Sequence, residues 1–257
     1  VRFVDQLVRL PLLEGAYWLS TAYSALSSES YRKSLAMFFT PPRIADRLIT
    51  DLKDEGVQFA HDRFIDPACG GAAFLALVAS RMREELVVAT RKPRSILRHA
   101  EMHLSGIDLD PTLCALSRHF LSMVFHTEIR SCGYRPTWDV ICADSLECYK
   151  DRRRRYDVVI SNPPFRKLSP DEVIEHRPGF SDVIYAQPNL YALFISLSVR
   201  LAKKGAVVGL VTPTSFLSGQ YFSSLRTYLI ANTRLRHIGL VYERERVYLD
   251  VLQETAL

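Results

Sequence analysis

The stretch that most constrains the fold is residues 156–165, where a short apolar run ends at two consecutive prolines. Residues 158–160 are β-branched, which is typical of a strand buried in a parallel sheet. A central strand cannot continue through Pro163 and Pro164, because proline has no N–H to donate and its φ is fixed. The sequence therefore predicts a rigid bend at the carboxyl end of a strand, where open α/β sheets bind their ligands.

Three groups on this bend suit the binding of a planar base that carries an exocyclic amine. The side-chain oxygen of Asn162 and the carbonyl of Pro163 can accept the two amine hydrogens, while the Phe165 ring stacks on the base. Acceptors outside the base plane favour a more tetrahedral nitrogen, and its lone pair is then free to attack. The alternative is a strand that simply ends in a Pro-Pro turn beside a core phenylalanine.

Composition favours a globular cytoplasmic protein. Of the 257 residues, 48% are hydrophobic and 24% are charged, and no apolar run reaches the roughly 18 residues that span a bilayer. The first residues carry no signal peptide, and the absence of an initiator Met suggests a trimmed or fragmentary N-terminus. Five cysteines without a Cys-x-x-Cys pair indicate free thiols. His99 and His103 have ligand-like spacing but lack a third ligand, so no metal is expected.

The charge pattern is compatible with a polyanionic partner, because the net charge is +5. Arg166 and Lys167 directly follow the bend, where their cations are placed to contact a phosphate beside a base held at Asn162. The arginine run at residues 152–155 is more typical of a solvated face.

Three successive predicted strands end in an acid, namely Asp66, Asp108 and Asp144. Helix capping or a turn explains one such residue easily, whereas three favour a shared ligand with several donors along one rim of the sheet. Asp108, at the end of the second strand, is placed to accept hydrogen bonds from ribose hydroxyls. Gly70 and Gly71 follow Asp66 and let a ligand approach the backbone.

The remaining helices and strands are predicted from the spacing of apolar residues and from the positions of proline and glycine. Residues 1–28 predict two short helices broken at Pro11. Thr40 before proline predicts an N-cap, with a helix from Pro41 to about Glu55. Residues 166–188 show neither period and predict a structureless stretch, which is a lid or binding loop or else a disordered segment. Later segments predict a helix at 189–203, a strand at 206–212, a helix at 221–232, a strand at 235–242, and a seventh strand beginning at 247–249 or 254–257.

The order of these motifs resembles the gamma class of DNA adenine-N6 methyltransferases found in restriction–modification systems. The sequence Phe-Thr-Pro-Pro at residues 39–42 is similar to the segment of that family that contacts the methionine part of S-adenosylmethionine, with Phe39 in place of Tyr. The sequence Asp-Pro-Ala-Cys-Gly at residues 66–70 matches the next motif, although Gly71-Ala72 stands where Ser-Gly is common. Asn-Pro-Pro-Phe at residues 162–165 matches the catalytic tetrapeptide.

The resemblance implies a Rossmann-like α/β fold, with a mostly parallel sheet and helices on both faces. It covers residues 34–257, preceded by a helical extension at residues 1–33, and it predicts a catalytic domain that is truncated near its last strand, without a target-recognition domain. The implied catalytic residues are Asn162, Pro163 and Phe165. The implied cofactor-binding residues are Phe39, Thr40, Asp66, Ala68, Gly70, Asp108, Leu109, Asp144 and Asn162. The implied DNA contacts are Arg166, Lys167 and Tyr191.

The function implied is methyl transfer from S-adenosyl-L-methionine to the N6 amine of an adenine flipped out of double-stranded DNA. Positioning and the two acceptors would drive a direct displacement, without a metal or a covalent intermediate. A specificity or nuclease subunit or domain is an expected partner. Two alternatives remain. One is a methyltransferase of RNA bases or protein glutamine, and the other is a non-catalytic subunit that binds cofactor or DNA.

Overall fold

The computed structural model describes residues 9–90, 92–185, 188–241 and 255–256. Its main sheet has five parallel strands in the order β3-β2-β1-β4-β5. The strands are β1 (Phe64–Asp66), β2 (Leu104–Asp108), β3 (Asp139–Cys142), β4 (Tyr156–Ser161) and β5 (Ala202–Leu210). This topology confirms the predicted Rossmann-like α/β fold.

Helices cover both faces of the sheet. They are α1 (Leu12–Leu26), α2 (Glu29–Leu35), α3 (Pro42–Asp54), α4 (Ala73–Ala89), α5 (Pro93–His103), α6 (Pro111–Val124), α7 (His126–Cys132), α8 (Ser145–Cys148), α9 (Pro170–Phe180), α10 (Leu190–Leu201), α11 (Ser215–Ser218) and α12 (Ser223–Asn232). Short 3-10 turns lie at Tyr149–Arg152 and Gln220–Phe222.

Strand β4, which leads into the Pro-Pro bend, is an inner strand of the sheet and lies between β1 and β5. Its residues Val158 and Ile160 pack into the core that includes α3 to α6, while Val159 packs into the core that includes α9, α10 and α12. A strand that is buried on both faces explains the continuous apolar run in the sequence. The bend therefore lies at the carboxyl edge of the sheet, at the end of a strand that is buried on both faces.

The segment at residues 166–188 contains a helix, so its prediction as a structureless loop is wrong. Helix α9 begins with Pro170 in its first turn, and Ser169 and Glu172 form a reciprocal capping box. Pro178 and Gly179 lie inside the helix, and their low helix propensity hides it from a pattern search. The helix packs through Val173 and Phe180 against the α10 side of the sheet.

The C-terminal part also differs from the prediction. Strand β5 starts at Ala202 and ends at Leu210 rather than covering 206–212. The predicted strand at 235–242 is described only as β7 (Leu240–Val241). Together with β6 (Thr212–Pro213) and β8 (Thr255–Ala256), it forms a second, antiparallel sheet with β8 in the middle. The candidate strand start at 247–249 lies outside the described residues.

The N-terminal helix α1 packs directly on helices that cover the main sheet. Helix α1 contacts α3, α4 and α6, and its Ala16 is 1% exposed within the main core. The predicted break at Pro11 agrees with the start of α1, while most of the first predicted helix, residues 1–8, is not described. Helix α2 was not predicted. Ser28 caps its N-terminus, since its hydroxyl accepts a hydrogen bond from the Tyr31 N–H, and Ala36 in the left-handed region follows its last residue.

None of the helices in the described ranges is long and apolar enough to cross a membrane.

Candidate active site

A cleft opens at the carboxyl ends of the central strands. It is bounded by the segment before α3, the turn after β1, and the ends of β2, β3 and β4. The structure brings into this one cleft all nine residues predicted to bind cofactor: Phe39, Thr40, Asp66, Ala68, Gly70, Asp108, Leu109, Asp144 and Asn162. Parallel strands place their carboxyl ends at one edge, which explains the convergence.

The Asn162 side chain is held firmly by one end and left open at the other. Its Nδ2 donates to the carbonyl of Phe38 at 3.2 Å and to Oγ1 of Thr40 at 3.0 Å. Its Oδ1 is buried and has no hydrogen-bond partner within the described structure. A buried acceptor without a partner is costly, so such an atom marks a place where a ligand donor fits.

Thr40 does not cap α3, so the N-cap prediction is wrong. The helix starts one residue later, at Pro42, with Pro41 as its N-cap residue and no side-chain capping bond. The Thr40 hydroxyl instead accepts the Asn162 amide hydrogen. Phe38, which the sequence analysis missed, contributes the second acceptor. Its position beside the Phe39-Thr40 motif was the available signal.

Asp66 lies beneath the cleft and is 1% exposed. Its Oδ1 accepts hydrogen bonds from the Ala68 N–H at 3.0 Å and from the Ser161 hydroxyl at 2.8 Å. Burial raises the pKa of this carboxyl to about 7, although both bonds oppose the shift. Ser161 directly precedes Asn162, so the hydrogen bond joins the turn after β1 to the Pro-Pro bend.

The other two acids use part of their hydrogen-bonding capacity locally. Asp108 accepts from the Gly70 N–H at 2.8 Å and from the Asp110 N–H at 2.9 Å, and burial raises its pKa. Asp144 accepts from the Leu146 N–H and caps α8. Both acids therefore make local capping or turn bonds, and both also line the cleft.

The turn after β1 needs glycine for steric reasons. A Cβ at Gly71 would lie 1.7 Å from the Ser20 hydroxyl of α1, so no side chain fits there. Gly70 and Ala72 both adopt left-handed backbone, with φ of 49° and 64°. The departure from Ser-Gly at Gly71-Ala72 thus keeps the turn, but it places an alanine in a conformation that favours glycine.

Aromatic rings surround the end of the bend. Phe165 lies nearly parallel to Phe38, with ring centroids 6.5 Å apart and an interplanar angle of 18°. Tyr191 meets Phe165 edge to face and stacks on Phe222. Tyr191 is 1% exposed and its hydroxyl pairs with Ser215. This burial corrects the predicted direct DNA contact, because Tyr191 supports the Phe165 ring from the interior.

Arg166 is not the free cation that the sequence suggested. Its guanidinium makes two hydrogen bonds with the Glu172 carboxylate, at 2.9 and 2.6 Å. Arg166 holds the pKa of Glu172 down at about 2, aided by the Ser169 N–H. The neighbouring Lys167 is exposed to solvent. Pro163 is buried, while Pro164 lines the cleft.

Comparison with known proteins agrees with this geometry. A family model described as "Eco57I restriction-modification methylase" matches residues 103–248, which is more than half of the chain. The chain belongs to the Eco57I restriction-modification methylase family. The resemblance drawn from the sequence motifs is thereby confirmed at the level of a restriction–modification methyltransferase.

Two curated proteins similar to this chain are Type II methyltransferases. M.BstVI from Geobacillus stearothermophilus is 27% identical over 231 residues, covering 83% of this chain and 39% of the relative. M.BsuBI from Bacillus subtilis is 25% identical over 233 residues, covering 88% of this chain and 43% of the relative. The chain thus spans about two fifths of the length of these relatives.

Solved structures share the fold. A class I S-adenosylmethionine-dependent methyltransferase from Listeria monocytogenes superposes with a TM-score of 0.68 at 17% identity, covering 95% of this chain and 66% of the other. The DrdV–DNA complex gives a TM-score of 0.69 at 16% identity, covering 95% of this chain and 28% of the other.

The cofactor of this methylase family is S-adenosyl-L-methionine, and the cleft fits it. Asp66 and Asp108 supply carboxylates for an amine and for hydroxyls, and Gly70, which lines the cleft, has no side chain to cover its backbone. Among the described residues, no group of three or more His, Cys, Asp or Glu side chains is arranged to hold a metal.

Proposed function

We propose that this methylase transfers a methyl group from S-adenosyl-L-methionine to the N6 amine of adenine in double-stranded DNA. The observation that carries the proposal is the buried, unpartnered Oδ1 of Asn162, which lies on a rigid bend at the edge of the cofactor cleft. An amine hydrogen is the donor that this oxygen lacks.

Asn162 would orient and activate the amine. Because its Nδ2 is committed to Phe38 and Thr40, the amide cannot rotate without losing both bonds, so Oδ1 stays aimed at the ligand. The Pro163 carbonyl would accept the second amine hydrogen, and its direction is restricted by the fixed φ of proline. Two acceptors on one amine favour a more tetrahedral nitrogen with an available lone pair.

The base would stack on Phe165. The Phe38 ring lies almost parallel to it, with ring centroids 6.5 Å apart. This is an ordinary contact distance for an aromatic pair, so a base would enter between the two rings only as they move apart. Tyr191 holds the far edge of Phe165. This role for Phe38 adds an aromatic face to the base site.

The bound cofactor supplies the activated methyl group. Asp108 would accept hydrogen bonds from the ribose hydroxyls and Asp144 would accept from the adenine amine of the cofactor. Asp66, Phe39 and Thr40 would hold the methionine end. Each of these residues lines the cleft, and transfer then rests on positioning and on the two acceptors.

Duplex DNA is the proposed substrate, with Lys167 and a released Arg166 as phosphate contacts. The DNA-bound DrdV and MmeI structures share this fold, which supports a DNA substrate. A specificity or nuclease subunit or domain is a proposed partner.

The test is transfer of a labelled methyl group to duplex DNA, RNA and protein in parallel, with and without a specificity subunit. Nuclease digestion and mass spectrometry of the product should identify N6-methyladenine. Asn162→Ala should lose transfer while retaining cofactor binding. Methylation of RNA or protein alone would replace the proposed substrate, and no transfer to any of the three would indicate a non-catalytic subunit.

A further inference from the structure

Asp110 is the most completely bonded carboxylate near the cleft. The residue is fully buried. Its Oδ1 caps α6 by accepting from the Thr112 and Leu113 N–H groups at 2.7 and 2.9 Å. Its Oδ2 accepts the hydroxyls of Tyr23 at 2.8 Å and Tyr31 at 2.9 Å. Helix capping explains the first oxygen but not the second.

The two tyrosines come from different helices, since Tyr23 lies on α1 and Tyr31 on α2. A carboxylate offers about four acceptor positions, and all four of Asp110 are filled. The loop after β2 therefore cannot shift without leaving a buried charge short of a donor, which is costly. The bond to Asp110 also raises the pKa of Tyr31 to about 12, so this hydroxyl stays protonated and remains a donor.

Asp110 is bonded in turn to the cofactor rim. Its N–H donates to Oδ1 of Asp108 at 2.9 Å, and Oδ2 of Asp108 accepts from the Gly70 N–H at 2.8 Å. Asp108 and Gly70 both line the cleft. A continuous chain of hydrogen bonds thus runs from the N-terminal helices to the acid proposed to bind ribose.

The same helices lead to the other side of the cleft. Ala36 in the left-handed region follows the last residue of helix α2, and the chain then presents the Phe38 carbonyl and Thr40 to Asn162. Anchoring Tyr31 therefore fixes the start of the segment that orients the amide.

We propose that Tyr23 and Tyr31 are positioning residues for the cofactor, which clasp Asp110 and so hold Asp108 in its ribose-binding orientation. This inference rests on S-adenosyl-L-methionine binding as proposed above. The N-terminal helices are, on this view, a working part of the cofactor site.

The test is calorimetric binding of S-adenosylhomocysteine, the stable product, to the full chain and to the Tyr23→Phe/Tyr31→Phe variant. Removing both hydroxyls should raise Kd about tenfold, since two hydrogen bonds to a charged group are lost. Tyr134→Phe is the matched control, because it removes a tyrosine–carboxylate bond to Glu101 outside the cleft. Its Kd should be unchanged.

A ribose-modified ligand separates positioning from general stability. If the two tyrosines act through Asp108, the 2′-deoxy analogue of S-adenosylhomocysteine should bind the wild type more weakly than S-adenosylhomocysteine does. The Tyr23→Phe/Tyr31→Phe variant should show a smaller difference in Kd between the two ligands. Tyr31 is 39% exposed, so the single Tyr31→Phe variant serves if the double variant unfolds. If the variant had a lower unfolding temperature but an unchanged Kd, the positioning role of Tyr23 and Tyr31 would be overturned, and the proposed function would stand. Failure of the wild type to bind either ligand would overturn the proposed function itself.

Discussion

Asn162 and Arg166 lie on the same loop, and both were predicted from the sequence to contact substrate, yet their polar atoms are used differently. Asn162 commits its donor and leaves a buried acceptor without a partner. Arg166 commits its guanidinium to Glu172 in a two-bonded ion pair. The first group is ready for a ligand, whereas the second must exchange one partner for another before it can contact a phosphate.

This difference separates the proposed role of Asn162 in the reaction from the proposed role of Arg166 in DNA binding. A preorganised acceptor needs no rearrangement when the reaction occurs, which is what effective electrostatic catalysis requires. A cation that is neutralised until DNA arrives limits non-specific attraction to polyanions. The loop therefore has a fixed reactive end and an adjustable binding end, and the following predictions test that division.

The largest effect is expected at the fixed end. Asn162→Ala removes the amine acceptor, so methyl transfer should fall by about 1000-fold or more. Binding of S-adenosylhomocysteine, measured by calorimetry, should change little. A variant that lost cofactor binding to the same extent as activity would assign Asn162 to the cofactor rather than to the base.

Loss of an aromatic face should have an intermediate effect. Phe165→Ala and Phe38→Ala should each lower kcat/KM for DNA by about 10- to 100-fold, because stacking contributes roughly 1–3 kcal/mol per base. With 2-aminopurine at the target position, both variants should show altered fluorescence on binding. Phe165→Leu, which keeps most of the volume but not the ring, should stay impaired, and full activity of that variant would exclude a stacking role.

The adjustable end should respond more mildly. Glu172→Gln removes the charge paired with Arg166, so DNA affinity should rise several-fold and the salt dependence of log K should steepen by about one unit. Fluorescence anisotropy at several salt concentrations measures both. Asp171→Asn is the matched control, since it changes the same charge at the start of α9. Equal effects of the two variants would show that only net charge matters.

The last prediction concerns stability rather than methyl transfer or DNA binding, because the pKa of Asp66 in the folded protein is about 7 instead of the ordinary 3.8. The folded state keeps this proton where the unfolded chain has released it. The resulting stabilisation is complete below about pH 4 and is lost as the pH rises through about 7. Denaturant unfolding of the wild type and Asp66→Asn from about pH 4 to pH 8 should show their difference shrinking or reversing with pH. A constant difference would contradict the raised pKa.

The features that could be predicted from the sequence depend on residues that are close together in the chain. Pro163 and Pro164 end β4 wherever it lies, and the β-branched run before them identifies a strand buried on both faces. The acids at the strand ends follow from the same regular alternation of strands and helices. These local rules placed Asp66, Asp108 and Asp144 along one rim of the sheet, whereas Phe39, Thr40 and Leu109 followed only from the resemblance to the methyltransferase family.

What the sequence concealed depended on partners far along the chain. Thr40 reads as a helix cap, but its hydroxyl bonds Asn162 more than a hundred residues away. Asp110 reads as a cap for α6, and nothing nearby in sequence predicts its two tyrosines. Helix α9 is different, because Ser169 and Glu172 did carry a capping signal that Pro178 and Gly179 outweighed.

The close contact between Gly71 and Ser20 means that the turn after β1 and helix α1 constrain each other sterically. Because the hydrogen of Gly71 points at the α1 surface with no room for a methyl group, bulk added on one side must be removed from the other. Grafting this glycine turn into a different methylase would therefore demand transplanting α1 as well.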